Sequence, residues 1–369
     1  MYGRIVMEPK LTVSLSGEVI DSKEKWEKIR REEIVFLLEH YAYGHRPKDT
    51  PDEVIFKIAE EKTLCGLKYK RVLINTDGYE FPVRLFAPYS DSPLPCFVFF
   101  MHNAQRKASD LDNDPNSLYV PIPEIASRGY AVAIIYSNDV YADDKNSKTY
   151  DEGIFSVYGP KKEKRRDSDW AAISAWAFAA SRVADYLVTD QDVNEKNLAV
   201  VGHSRSGKAA LWTGATDERF SYVISNSSGC MGAAMLRGKE GEHIDFISAH
   251  TDWLCKNQWR FADCEQMYPI DQHMLLALIA PRLLYVQSSS LDQWADPKSE
   301  RRSCRLCSEA YGLYGLEGAI LPEEESIGIN VAYHEGNIGY HMRDGEHSIR
   351  AEDWKMFMDF WDKKRSNCK

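Results

Sequence analysis

The sequence predicts an α/β protein: a doubly wound, mostly parallel sheet with an antiparallel N-terminal edge, set as the middle layer of a three-layer sandwich. Three observations predict it. Six short, almost wholly apolar runs (Cys96 to Met101, Tyr130 to Tyr136, Leu198 to Gly202, Tyr222 to Ser225, Leu283 to Val286 and Ile329 to Tyr333) have the composition of strands buried on both faces. Stretches of helical periodicity alternate with them. Ahead of both stand two segments that alternate apolar and polar residues, as half-buried antiparallel strands do.

Taken in order, Asp21 to Tyr43 reads as a helix, because Asp21 and Glu24 have capping-box spacing, Gly44 is a stop and Pro47 lies beyond it. Leu67 to Val72 and Phe81 to Phe86 are the alternating strands. A helix over Asp167 to Leu187 places Ile173, Trp176, Ala177, Ala180, Ala184 and Leu187 on one face, and the last, Ala351 to Asp362, does the same with Trp354, Phe357, Met358 and Trp361. Two long irregular connections, Ser137 to Asp167 and Asn226 to Pro269, interrupt the scheme. In a doubly wound sheet such insertions sit where strand ends meet ligand, so they are candidate pocket walls. The charge run from Lys161 to Asp167 reads as solvated surface. No repeat or low-complexity linker divides the chain. Residues 1–369 therefore read as one domain with an N-terminal extension of about 1–90 and insertions near 137–167 and 226–270.

Composition narrows the function. Hydrophobic residues at 44% of 369 fill a substantial core, while 28% charged residues with a net charge of -10 argue against nucleic acid and anionic membranes as partners. No segment approaches the roughly 18 apolar residues of a membrane span, and the start has no apolar stretch of signal-peptide length, so the expected location is cytoplasmic. The eight cysteines are expected as free thiols. Cys304 and Cys307 form the one CxxC and lack the second pair or histidines of a zinc site.

The chemistry is signalled at Val200-Val201-Gly202-His203-Ser204-Arg205-Ser206-Gly207-Lys208-Ala209-Ala210-Leu211, where a β-branched strand ends on glycine, turns through serine and becomes an alanine-rich helix. This is the layout of a nucleophile elbow, although serine stands at 206 and the second glycine falls at 207. A serine hydroxyl needs a histidine base and a carboxylate that orients it. In chain order the acid should follow the serine and the histidine should come last. The loop after Leu283 to Val286 offers two acids: Asp292 lies nearer the strand end and is preferred, whereas Asp296 before Pro297 also fits a turn or helix cap. The loop before the final helix offers His347 as base, with His341 second; a metal reading of His341, Asp344 and His347 finds no HExxH or comparable ligand set. Arg205 and Lys208 occupy the first turn of the elbow helix, where acidic residues are favoured. Two cations there favour an anion, either a tetrahedral oxyanion or a carboxyl-derived group of the substrate.

These residues give the chain a resemblance to the glucuronoyl esterase family of carbohydrate esterases, in its bacterial form. It rests on Tyr43-Gly44-His45-Arg46-Pro47, Trp176-Ala177 through Arg182, Asp185-Tyr186-Leu187, the GHSRSGKAAL elbow, Ser228-Gly229-Cys230 with Gly232-Ala233-Ala234, Asp271 through Arg282, Asp292-Gln293-Trp294-Ala295-Asp296-Pro297, and the spaced His341, Arg343, Gly345 and His347 before Asp353-Trp354. The resemblance implies an α/β-hydrolase fold and a serine esterase that cleaves esters of glucuronic or 4-O-methylglucuronic acid without metal or organic cofactor. It implies Ser204 as nucleophile, His347 as base, Arg205 as oxyanion stabiliser, Lys208 and Trp294 as sugar contacts, and Glu265 as a ligand of sugar hydroxyls. Some members take the acid from the loop after the strand that follows the elbow helix. Here that loop is Ser225-Asn226-Ser227-Ser228-Gly229, without a carboxylate, which points again to Asp292. A cytoplasmic start suits an imported oligosaccharide or small uronate ester rather than polymeric plant wall. The alternatives are an acetyl esterase on decorated sugars and a non-catalytic carbohydrate-binding protein on the same scaffold.

Overall fold

The computed structural model describes residues 8–47, 54–102, 108–143, 150–160, 162–250 and 252–366. The alternating segments extend into β1 (Val54–Leu64), β2 (Leu67–Thr76) and β3 (Tyr79–Ala87), an antiparallel meander. Its two tight turns, Cys65-Gly66 and Asp77-Gly78, have positive φ at both residues, which matches the twist of a two-residue hairpin. β3 then pairs antiparallel with β5 (Ala131–Tyr136) and so joins the meander to a parallel set. That set comprises β4 (Leu94–Met101), β5, β6 (Val193–His203), β7 (Phe220–Asn226), β8 (Leu283–Ser289) and β10 (Ile338–Arg343); with the edge strand β9 (Ala332–Tyr333) one ten-stranded sheet results, in the order β1-β2-β3-β5-β4-β6-β7-β8-β10-β9.

Five of the six apolar runs are the parallel strands expected of them, because each is buried on both faces. The sixth is corrected. Ile329 and Val331 are about half exposed, and Ala332–Tyr333 forms only the short edge strand β9, antiparallel to β10. The sixth parallel strand, β10, contains His341 and Arg343, polar residues that conceal it from a hydropathy reading. Both are buried because Asp353, itself buried, pairs with them.

Helices cover both faces. On one side α1 (Ile122–Ser127) and α6 (Ala351–Ser366) pack Ile125, Trp354, Phe357 and Trp361 against Phe97, Phe99 and Tyr285. On the other, α2 (Ala172–Leu187), α3 (Arg205–Thr216), α4 (Gln272–Ala277) and α5 (Pro297–Gly312) pack with the N-terminal helical stretch, residues 23–43, over the larger core. The N-terminal stretch is capped by Ser22, whose Oγ accepts from Lys25 N at 3.3 Å, rather than by Asp21. Asp296 does cap α5, accepting from Ser299 N at 3.0 Å. No helix is long and apolar enough to cross a membrane among the described residues. Cys304 and Cys307 lie fully buried along α5 as free thiols, and burial pushes both thiol pKa values up. β4 lies between β5 and β6, so the strand order reverses there. Ligands of such sheets bind outside the carboxyl ends of the strands at that reversal.

Candidate active site

β6 ends at that reversal, and the elbow is built from its local sequence. Ser204 sits between strand and helix at φ 59°, ψ -127°, a conformation costly for a residue with a side chain and held only by its surroundings. Gly202 makes it feasible, since a Cβ there would lie 1.9 Å from the carbonyl oxygen of Ser206. The unexpected Ser206 is a staple: its Oγ, fully buried, donates to the His203 carbonyl at 2.8 Å and accepts the His203 N–H at 3.2 Å. Gly207 serves packing instead, because a Cβ there would come within 2.9 Å of the Ser228 Cβ. Ser204 N–H is fixed by the Asn226 carbonyl at 2.9 Å. Its Oγ has no hydrogen-bond partner among the described residues.

His347 and Asp292 come together as the sequence predicts. His347 Nδ1 is 2.5 Å from Asp292 Oδ2, with the carboxylate side chain 4% exposed and the imidazole 41% exposed. Asp292 is held by the turn it caps, where Oδ1 accepts from Ala295 N at 3.2 Å. Asp296 is not beside the histidine. It stands at φ 59° and accepts from Glu240 N, Gly241 N and Ser299, contacts that draw its carboxyl pKa down against its burial. His341 is also elsewhere, buried on β10 between Asp353 and Tyr285, so it neither serves the cavity nor shares a metal site with Asp344 and His347. The ring behind His347 is His203, centroid to centroid 4.5 Å, with its Nδ1 2.6 Å from Asn226 Oδ1. Burial, then the neighbouring His347, pushes the His203 pKa well down, so this ring stays neutral.

Ser204 and His347 line one cavity of about 320 Å³ together with Asp143, Arg205, Lys208, Ser227, Ser228, Gly229, Glu242, Phe246, Asp252, Trp253, Trp294 and Ala295. That volume is at the small end for ligand sites and suits roughly one sugar ring. The two cations are there as expected, each with a carboxylate. Arg205 Nη1 meets Asp143 Oδ2 at 2.5 Å and its guanidinium lies 4.8 Å over Trp253. Lys208 is 3% exposed, donates to the Ser228 carbonyl at 2.8 Å and lies 3.5 Å from Glu242. Trp253 Nε1 returns to Asp143 at 2.9 Å, so Trp253 is a shelf under both cations. Trp294 stands at the rim, 53% exposed, edge-on to Phe246 at 5.1 Å. Glu265 is not in the cavity wall. Its carboxylate faces His243 Nδ1 at 2.7 Å and the Ile244 N–H, and the wall carboxylate beside Lys208 is Glu242. Asp143, Glu242, Phe246, Asp252 and Trp253 escaped the sequence reading. All five lie in the two insertions that it marked as pocket walls, and no spacing sets them apart there.

Arginine and lysine at the first turn of α3, a serine at its start and a carboxylate-held histidine lining the same cavity are the groups that acyl transfer requires. Comparison with known proteins agrees. Residues 115–315 match the family model described as glucuronyl esterase, fungi. The chain is 33% identical to carbohydrate esterase MZ0003 of an unknown prokaryotic organism, over 96% of this chain and 88% of that one. It is 28% identical to the 4-O-methyl-glucuronoyl methylesterase of Thermothelomyces thermophilus, over 83% and 72%. A CE15 esterase from a marine bacterial metagenome, described as promiscuous, superposes with a TM-score of 0.87 at 31% identity, covering 96% of each chain.

Proposed function

The chain belongs to the glucuronoyl esterase family of carbohydrate esterases, and on that premise we propose that it hydrolyses esters of glucuronic or 4-O-methylglucuronic acid through an acyl-enzyme on Ser204. The observation that carries the catalytic assignment is the buried Asp292 holding His347 Nδ1 at the edge of the cavity that Ser204 lines. With Nδ1 bonded to the carboxylate, the imidazole keeps its free Nε2 as the base. His347 takes the Ser204 proton as Oγ attacks the uronoyl carbonyl, and returns it to the departing alcohol. Water then repeats the step on the acyl-enzyme.

Negative charge gathers on the carbonyl oxygen during both attacks. The Arg205 N–H, at the first position of α3 without an intrahelical acceptor, and the Arg205 guanidinium supply the donors for it. Lys208, Glu242 and Trp294 contact the sugar: the first two bracket hydroxyls with a donor and an acceptor, and the indole covers a ring face. Pairing of both cations with carboxylates supports an ester as ligand, since a neutral ester needs no free positive charge until its transition state. Rates on a benzyl glucuronate ester and on an acetylated xylo-oligosaccharide, each against Ser204→Ala, test the proposal. Preference for the uronate ester supports it, and preference for the acetyl ester overturns it.

A further inference from the structure

His347 is carried by a seven-residue connection between β10 and α6 that holds Gly345 at φ 117°. Its ring is exposed, and the loop's one apolar anchor, the buried Ile349, lies two residues beyond it, so the stretch on both sides of the ring must be fixed by something else. Arg343, at the end of β10 and only 5% exposed, lies inside this loop. Its Nη1 donates to the Asp344 carbonyl at 2.7 Å. Its Nη2 lies 3.0 Å from the Glu346 carbonyl, 3.0 Å from the Ser348 carbonyl and 2.9 Å from Ser348 Oγ. The carbonyls immediately before and after His347 thus converge on one nitrogen.

The same guanidinium is anchored behind. Nε donates to Asp353 Oδ2 at 3.2 Å, and Asp353, fully buried in the first turn of α6, also meets His341 Nε2 at 2.9 Å and the Arg350 N–H at 2.9 Å. Nη2 further reaches Ser289 Oγ at 2.9 Å, at the end of β8. From there Ser290 N bonds the Arg343 carbonyl and Leu291 N the Gly345 carbonyl, both at 2.9 Å, so the strand that leads to Asp292 is tied to the loop that carries His347.

We propose that Arg343 is a positioning residue for the general base: by gathering the backbone on both sides of His347 and joining it to Ser289 and Asp353, it sets where the imidazole stands relative to Asp292 and Ser204. The assignment rests on the reading of His347 as the base. A planar fork of five donors suits this task, and a lysine ammonium in its place keeps the charge but loses the fork. Displacing a catalytic group by about 1 Å costs about 100-fold in rate, while binding of the sugar, made by other residues, is left alone.

The test compares Arg343→Lys and Arg343→Ala with the parent in kcat and KM on the uronate ester. It also measures the rate at which a fluorophosphonate labels Ser204, which needs the base but no sugar recognition. Arg343→Ala should lose about 100-fold in kcat and in labelling rate, with KM within about twofold, and added guanidinium should restore part of both. Arg343→Lys should lose about tenfold. The proposal is overturned by a folded Arg343→Ala with kcat near the parent's, by a rise in KM at constant kcat, or by activity that guanidinium does not recover. If the alanine variant does not fold, the lysine variant decides: full activity overturns the role and a loss confined to kcat supports it. Failure of the uronate reading alone leaves the labelling result intact, so the two are told apart.

Discussion

Asp292→Asn exchanges one oxygen of the carboxylate for NH2 and leaves the size of the side chain unchanged. The Oδ1 bond to Ala295 N at 3.2 Å survives, and the loop should keep its shape. What changes is the 2.5 Å contact to His347 Nδ1, where an amide donor can replace a charged acceptor. An amide N–H pointed at Nδ1 favours the tautomer with its proton on Nε2, which cannot accept from Ser204. Because the carboxylate is 4% exposed, water does not substitute for it. Loss of the corresponding acid in serine hydrolases typically costs about 10⁴-fold in kcat, equivalent to about 5 kcal/mol of transition-state stabilisation. The contrasting variant is Asp296→Asn. Asp296 accepts from three backbone N–H groups and from Ser299 Oγ, and caps α5, so its loss should lower the melting temperature by several degrees and leave kcat within a few fold. Steady-state kinetics and thermal unfolding of both variants decide. If Asp292→Asn keeps more than about a tenth of the parent kcat, or if Asp296→Asn abolishes turnover in a folded protein, the geometric reasoning is wrong.

Three further outcomes follow from the same geometry. Arg205→Ala should cut kcat by about 100-fold or more with little change in folding, read from kinetics beside circular dichroism; unchanged turnover would remove the guanidinium from oxyanion stabilisation. Trp294→Ala at the open rim should raise KM several-fold and leave kcat nearly constant, and an equal fall in kcat would show that the indole acts on the transition state instead. Glu300 is fully buried, accepts from Ser288 Oγ at 2.6 Å and from Gly229 N at 3.0 Å, and burial pushes its pKa up to about 8. The unfolded chain releases this proton near the ordinary value of 4.5 while the folded one keeps it, so stability falls as pH rises from about 4.5 to about 8 and is level above that. Glu300→Gln should flatten denaturant-derived stability over that window by a few kcal/mol, and parallel curves for parent and variant would contradict the assignment.

The parts of this site that were legible in the sequence are those fixed by local geometry. Ser204 needs Gly202 for a steric reason that acts within four residues, so the elbow is visible in a dozen letters. Asp292 and His347 are 55 residues apart, yet each follows a strand directly, and the parallel order of β8 and β10 brings their loops side by side. Where tertiary pairing sets the role, the letters mislead. The letters place the last parallel strand at Ile329 to Tyr333 because His341 and Arg343 count against a buried strand until Asp353, on a later helix, is known to pair with them. Glu242 and Glu265 are both glutamates of one irregular insertion, and only the fold decides that the first lines the cavity while the second holds His243. Arg205 and Lys208 line the cavity as their place in the first helical turn suggests, but the acid that pairs with each, Asp143 or Glu242, comes from an irregular insertion that the letters do not order.

Every step of the proposed reaction requires that Ser204 receive the uronoyl group. Mixing the protein with a benzyl glucuronate ester, quenching within the first turnovers and mapping the adduct by peptide mass spectrometry tests it directly. A uronoyl group should be found esterified to Ser204 and nowhere else, and be absent from Ser204→Ala. Turnover of the ester by Ser204→Ala at the parent's rate, or an adduct on another residue, would contradict it.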